Sequence, residues 1–217
     1  MKWSPIMCLT TDGMALSHVE QVAALCRAGA TLIQLRMKRA SDTEIRSVID
    51  QCLPICRRAG SRLIINDHFD AALKGGADGV HLGRHDLSWE DARECAGDDF
   101  IIGGTVNTEE DACRADAAAV LNYVGVGPYR FTRTKEKLAA VLEKDDWQRI
   151  QSHLGDMPVY AIGGICLEDL STIQSIGVSG VAVCASLISD KESTLIENYR
   201  NFATAWMRIS GAIMTEQ

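Results

Sequence analysis

Short apolar bursts alternate with amphipathic stretches along the whole chain. Four bursts come first: Ile6-Met7-Cys8-Leu9-Thr10, Thr31-Leu32-Ile33-Gln34-Leu35-Arg36, Leu63-Ile64-Ile65-Asn66-Asp67 and Asp78-Gly79-Val80-His81-Leu82-Gly83. Four more follow: Phe100-Ile101-Ile102-Gly103-Gly104-Thr105, Val120-Leu121-Asn122-Tyr123-Val124-Gly125-Val126, Pro158-Val159-Tyr160-Ala161-Ile162 and Gly180-Val181-Ala182-Val183-Cys184. Each is short and nearly continuous in apolar residues, which predicts a strand buried on both faces. The intervals predict helices. One runs from a Ser17 start to a Gly29 stop; another starts at Ser41, with Glu44 completing a capping box, and ends at Gly60 with Pro54 placed to kink it. Further helices are expected from Ser88 to Gly97, after Thr108, over Asp146–Leu154, over Leu167–Ile176 and over Thr194–Ile209. Strands alternating with helices, buried on both faces, predict an α/β fold: a single (β/α)₈ TIM barrel. An open doubly wound sheet is the alternative, but no Gly-x-Gly-x-x-Gly turn follows the first strand.

Length agrees with one domain spanning 1–217, since α/β barrels of this size fold as a unit. A net charge of −7 argues against general nucleic-acid binding, so any anion site needs Lys and Arg concentrated locally. The eight cysteines show no Cys-x-x-Cys metal spacing and suit reduced thiols in a cytoplasmic protein. Met1 to Pro5 lacks an apolar secretory core, and no stretch approaches membrane-spanning length, so no membrane is expected as a partner.

In a parallel barrel the carboxyl ends of all the strands face one rim. That rim gathers Gln34, Arg36 and Lys38 from the second strand, Asn66 and Asp67 from the third, and His81 and Asp86 from the fourth. Thr105 follows the fifth strand, Thr132, Thr134 and Lys135 the sixth, and Gly163-Gly164 the seventh. Two carboxylates suit an oxygen-ligated Mg²⁺ held partly by a substrate's phosphates, and the cations and hydroxyls suit the diphosphate itself. Consecutive glycines expose backbone N–H groups to an anion. The plainer readings are that Asp67 and Asp86 cap the helices that follow them, that His81 is a satisfied core histidine, and that Arg36 and Lys38 are solvated charges.

The sets Gln34-Leu35-Arg36-Met37-Lys38, Asn66-Asp67, Asp78 to Gly83 with Asp86, Gly125 to Lys135 and Ala161 to Ile165 resemble the thiamine phosphate synthase family. The resemblance runs in order through nearly the whole chain. It implies a (β/α)₈ enzyme that joins an aminopyrimidine methyl diphosphate to a thiazole phosphate (or its carboxylate), releasing diphosphate. By position, Gln34, Arg36, Lys38, Asn66, His81, Thr105 and Lys135 would contact the pyrimidine diphosphate. Arg36, Lys38 and Lys135 would carry catalysis. Asp67 and Asp86 would hold Mg²⁺. Thr132, Thr134, Gly164, Cys184 and Ala185 would hold the thiazole phosphate.

Four departures mark this chain. Thr105 stands where serine is common, and Pro128-Tyr129-Arg130-Phe131-Thr132 replaces the usual Pro-Ile-Phe-Pro-Thr loop. Ala185 replaces a common serine and leaves only a backbone N–H, while Asn107 replaces a frequent histidine. Two rivals remain: a thiazole tautomerase on the same barrel, and a barrel that binds thiamine precursors without turning them over. Self-association into a homo-oligomer is left open.

Overall fold

The computed structural model describes residues 3–131 and 140–215, with side chains through 211. Eight parallel strands close in sequence order into a barrel. They are β1 (Ile6–Leu9), β2 (Leu32–Leu35), β3 (Arg62–Asn66), β4 (Gly79–Leu82), β5 (Ile101–Val106), β6 (Tyr123–Val126), β7 (Val159–Ile162) and β8 (Gly180–Val183). The helices between them are α1 (His18–Ala28), α2 (Asp42–Ala59), α3 (Phe69–Lys74), α4 (Trp89–Ala96), α5 (Glu109–Ala118), α6 (Lys144–Leu154), α7 (Leu170–Ser175) and α8 (Glu192–Thr215). The (β/α)₈ expectation holds. Among the described residues, no helix is long and apolar enough to cross a membrane.

Local chemistry sets the helix ends. Ser17 with Glu20 and Ser41 with Glu44 form reciprocal capping boxes, while Gly29 and Gly60 close their helices in the left-handed conformation. Helix α2 continues through Pro54 to Ala59. Two boundaries differ from the sequence pattern. Strand β6 begins at Tyr123; before it, Arg93 Nη2 donates to Val120 O at 2.9 Å and to Asn122 Oδ1 at 2.7 Å, and Asn122 N–H donates to Ile102 O at 2.8 Å. The helix expected over Leu167–Ile176 splits into a 3₁₀ turn, Leu167–Asp169, and α7. The buried Asp169 turns back to accept Cys166 N–H at 2.9 Å, which tightens that first turn.

Two apolar layers hold the barrel. One lies between strands and helices and includes Ile65, Val80, Leu82, Trp89 and Trp147; the other fills the barrel with Met7, Leu9, Leu32, Ile64, Ile101, Tyr123, Tyr160 and Ala182. Burying each large side chain contributes about 1.5–3 kcal/mol relative to leaving it exposed. Side chains alternate along a strand, so the positions two residues beyond Leu32, Ile64 and Gly79 also point inward: Gln34, Asn66 and His81. The register aligns Asn66 with His81, His81 with Gly103, and Thr105 with Gly125. The interior therefore changes from apolar to polar toward the carboxyl ends of the strands. Gly103 is needed for this packing, since a Cβ there would lie 2.1 Å from Tyr123 Cζ.

Candidate active site

The β2–β4 arc of the rim is built from charged side chains. Lys38 Nζ lies 2.9 Å from Asp67 Oδ2, and the Asp86 carboxyl lies close enough to Asp67 for the two charges to repel. Asp67 adopts a positive φ of 65°, and its N–H donates to His81 O at 2.9 Å, anchoring β3's exit to β4. Asp86 Oδ2 accepts Gly83 N–H at 2.6 Å. Burial favours the protonated form of Asp67, but Lys38 outweighs it and the carboxyl ends below its usual range. Burial also pushes Asp86 up, and the neighbouring Asp67 adds to that rise despite the Gly83 N–H.

Neither carboxylate caps a helix. His68 occupies the cap position of α3 and makes no side-chain capping bond, and Ser88 caps α4 by accepting from Asp91 N–H at 3.1 Å. Both acids are thus available at the rim, and a cation between them would relieve their mutual repulsion. The donor set fits a hard divalent ion such as Mg²⁺ that brings most of its oxygen ligands with the substrate and water. Among the described residues, no group of three or more His, Cys, Asp or Glu gathers to hold a metal unaided.

Polar side chains lie just beneath this arc. Gln34, Arg36, Asn66 and His81 are all buried. His81 Nε2 is 2.9 Å from Thr105 Oγ1, and His81 Nδ1 is 3.1 Å from the Tyr123 hydroxyl. The core-histidine reading is therefore right about burial, yet the ring also reaches a rim residue.

The sequence pattern missed the support at the end of β1. Thr10 Oγ1 accepts Arg36 N–H at 3.0 Å, and Asp12 Oδ2 accepts Lys38 N–H at 3.0 Å. His18 joins them, with Nδ1 2.8 Å from Thr10 Oγ1 and Nε2 2.9 Å from Asp12 Oδ1. Burial raises the Asp12 pKa, but His18, the Lys38 N–H and Arg36 together bring it below the usual range. Thr10 and Asp12 flank the end of the first strand just as Asn66 and Asp67 flank the third. Treating all strand ends alike would have found them.

The β6–β8 arc is built from backbone. Gly163 and Gly164 have φ of 106° and 65°, and a Cβ on Gly163 would lie 2.8 Å from Pro128 Cβ. Glycine is needed at both positions. The β6 exit packs onto this turn through Tyr129 N–H to Ile162 O and Arg130 N–H to Gly163 O, each at 2.9 Å. Arg130 pairs with the buried Asp169, so the altered Tyr129-Arg130-Phe131 loop is tied to the turn after β7. Asn107, where a histidine is frequent, donates from Nδ2 to Gly127 O.

Cys184 is half-buried and Ala185 exposed at the β8 exit, and burial raises the Cys184 thiol pKa. The neighbouring Ser186 hydroxyl is committed to Ile165 O at 2.7 Å and does not replace the missing serine. Thr132, Thr134 and Lys135 lie outside the described residues. The structure thus draws Lys38, Asp67 and Asp86 into one cluster and joins His81 to Thr105, while Gly164, Cys184 and Ala185 stand on the other arc.

Known proteins match this chain over most of its length. The family model described as thiamine monophosphate synthase matches residues 6–187. A thiamine-phosphate synthase of Bacteroides fragilis is 40% identical over 176 residues, 79% of this chain and 86% of the relative. One from Bacteroides thetaiotaomicron is 39% identical over 79% of this chain and 84% of its own length. Among solved structures, thiamine phosphate pyrophosphorylase from Pyrococcus furiosus superposes with a TM-score of 0.82 at 27% identity, covering 94% of this chain and 96% of the other. The chain belongs to the thiamine monophosphate synthase family of enzymes.

Proposed function

We propose that the chain joins an aminopyrimidine methyl diphosphate to a thiazole phosphate (or its carboxylate), giving thiamine phosphate and diphosphate. The observation that carries this reading is the Lys38–Asp67–Asp86 cluster above the buried Gln34, Asn66 and His81. It offers a cation and a paired-carboxylate seat where a diphosphate leaving group needs them. The C–O bond breaks with its electron pair leaving on diphosphate. The resulting methyl cation is stabilised by the pyrimidine's own amino group and is captured by the thiazole nitrogen. No protein nucleophile is needed, and the side chains act by orientation and by neutralising charge.

Arg36 and Lys38, with Lys135, act on the leaving diphosphate, while Gln34, Asn66, His81 and Thr105 hold the pyrimidine diphosphate. Asp67 and Asp86 would hold Mg²⁺, which when bound supplies charge neutralisation to the diphosphate oxygens. Gly164, Thr132, Thr134 and the Cys184-Ala185 backbone receive the thiazole phosphate. A tautomerase has no diphosphate to neutralise, so it leaves the Lys38–Asp67–Asp86 cluster unexplained.

The test is to incubate the purified chain with both precursors and Mg²⁺. Thiamine phosphate and diphosphate should appear in equal amounts. Lys38→Ala should lower kcat on the order of a hundredfold, because negative charge grows on the leaving group only as the bond breaks. Binding of both precursors without product would instead establish the non-catalytic reading.

A further inference from the structure

The exit of β1 and the start of α1 contribute no side chain to the assigned site, yet they hold two of its cations by the backbone. Asp12 spans two partners: Oδ2 accepts Lys38 N–H at 3.0 Å, and Oδ1 lies 2.9 Å from His18 Nε2. Thr10 does the same for Arg36: Oγ1 accepts Arg36 N–H at 3.0 Å and lies 2.8 Å from His18 Nδ1. Two amides of the β2 exit are thus bonded to two side chains of the β1 exit. One imidazole ties those side chains together. A carboxylate only accepts, so Nε2 donates to Asp12. Nδ1 and the Thr10 hydroxyl share a proton whichever of them supplies it, so the bridge holds in either charge state of the ring.

The bridge rests on an anchored support. The buried Gln21 amide takes both backbone groups of Thr11, with Oε1 accepting Thr11 N–H at 3.0 Å and Nε2 donating to Thr11 O at 2.9 Å. Gln21 Nε2 also donates to Leu16 O at 2.9 Å, and Ala15 N–H donates to Asp190 Oδ1 at 2.7 Å. The Ser17–Glu20 capping box fixes where α1 begins, directly before His18. Lys38 needs such support, because its ammonium sits on a flexible four-carbon stem. Asp67 holds the Nζ end at 2.9 Å and Asp12 the backbone end.

We propose that His18 is a positioning residue: by bridging Thr10 and Asp12 it locks the β2 exit and so sets where Arg36 and Lys38 present their charge. In the proposed reaction, on which this role rests, that charge meets the diphosphate as its C–O bond breaks. A shift of the exit moves both cations together, and a misplacement of about 1 Å costs on the order of a hundredfold in rate.

The first test needs no turnover. Amide hydrogen exchange of the intact protein, followed by NMR, reads the Arg36 and Lys38 N–H groups. The Asp67 N–H, bonded to His81 O, is the control. His18→Phe keeps a ring but bonds neither partner, while His18→Gln restores an acceptor and a donor side by side. Both β2 amides should exchange about tenfold faster in His18→Phe and return toward wild type in His18→Gln, with Asp67 N–H unchanged. His18→Ala, which removes the ring without adding bulk, should behave like His18→Phe. Unchanged exchange at Arg36 and Lys38 overturns the proposal whatever the reaction is. So does an equal rise at Asp67, which would mean that His18 serves only general stability.

The second test is kinetic. His18→Phe should lower kcat about tenfold to a hundredfold with less effect on the KM for the pyrimidine diphosphate, and His18→Gln should recover most of the loss. In a Lys38→Ala background the same substitution should cost less, because one of the two cations it places is already gone. Losses that multiply in full would mean that His18 does not act through Lys38 and would overturn the role assigned to it. If exchange behaves as expected but the wild type forms no thiamine phosphate, the proposed reaction has failed and the bridge stands.

Discussion

The two arcs of the rim are built from different materials, and in the proposed reaction each would hold an anion in an acidic protein. On the β2–β4 side, charged side chains are held in place by bonds of their own: Lys38 to Asp67, Asp86 to the Gly83 N–H, and Lys38's backbone N–H to Asp12. On the β6–β8 side, the fixed parts are backbone: the Gly163-Gly164 turn and the β6 exit packed on it. The Arg130–Asp169 pair ties that loop down. Charge that must act on a leaving group has to be oriented, and mutual ion pairing orients it. A phosphate that merely has to be held can be met by N–H groups whose direction the backbone already sets.

The largest effect should come from taking charge out of the first arc. Asp67→Asn and Asp86→Asn keep the shape of the side chain but remove the seat for a divalent ion. Several kcal/mol of charge stabilisation disappear with it, so Mg²⁺-dependent turnover should fall on the order of a thousandfold. Stability should change little in Asp67→Asn, because a partly exposed ion pair such as Lys38–Asp67 is worth about 1 kcal/mol or less. The checks are activity across a Mg²⁺ titration and a thermal melt. A variant that retains wild-type turnover would remove the carboxylates from the proposed metal site.

A smaller and different effect should follow a change in the second arc. Gly164→Ala forces a side chain into a backbone with φ of 65° and sets its Cβ 3.0 Å from Arg130 Cβ. The conformation alone costs roughly 1–2 kcal/mol, enough to shift the turn. The KM for the thiazole phosphate should rise about tenfold while that for the pyrimidine diphosphate holds. Equal rises in both would show that the two arcs are not separate binding surfaces.

The first arc was far more legible in the sequence than the second. Lys38, Asp67 and Asp86 follow strands whose apolar pattern is unmistakable, and the parallel fold then brings them together with no further assumption. Asp67 and Asp86 were ambiguous with helix caps, an ambiguity that only the observed bonds of His68 and Ser88 resolve. Tyr123 was hidden for a different reason. Within Val120 to Val126 it reads as one more apolar strand residue, and only the pairing of Gly103 with Tyr123 shows why a phenol fits inside the barrel. The Arg130–Asp169 pair joins residues far apart in sequence, a relation that neither strand nor helix periodicity encodes. Thr10, Asp12 and His18 were readable in principle but lay outside the family's motif, so nothing drew attention to them.

The smallest expected effect lies at the joint between the arcs. Arg84, just past β4, pairs at 2.5 Å with Asp111 in the first turn of α5. Asp111 also accepts Asn107 N–H at 2.9 Å, and the Asn107 side chain reaches Gly127 O at the β6 exit. Burial favours a neutral Asp111, but the Asn107 N–H and Arg84 outweigh it and hold the carboxyl below its usual range. A depressed folded-state pKa stabilises the fold fully above the unfolded value near 3.9, and that contribution is lost as pH falls through the lower folded value.

Asp111→Asn keeps some hydrogen bonding but loses the charge. With half the Arg84 side chain in solvent, the cost at neutral pH should be only about 1 kcal/mol. Urea midpoints of wild type and variant should therefore differ at pH 7 and converge below about pH 3. Both KM values should stay near wild type, because the joint carries neither anion. A midpoint gap that persists unchanged into acid would mean that the shape of Asp111, and not its charge, couples the two arcs.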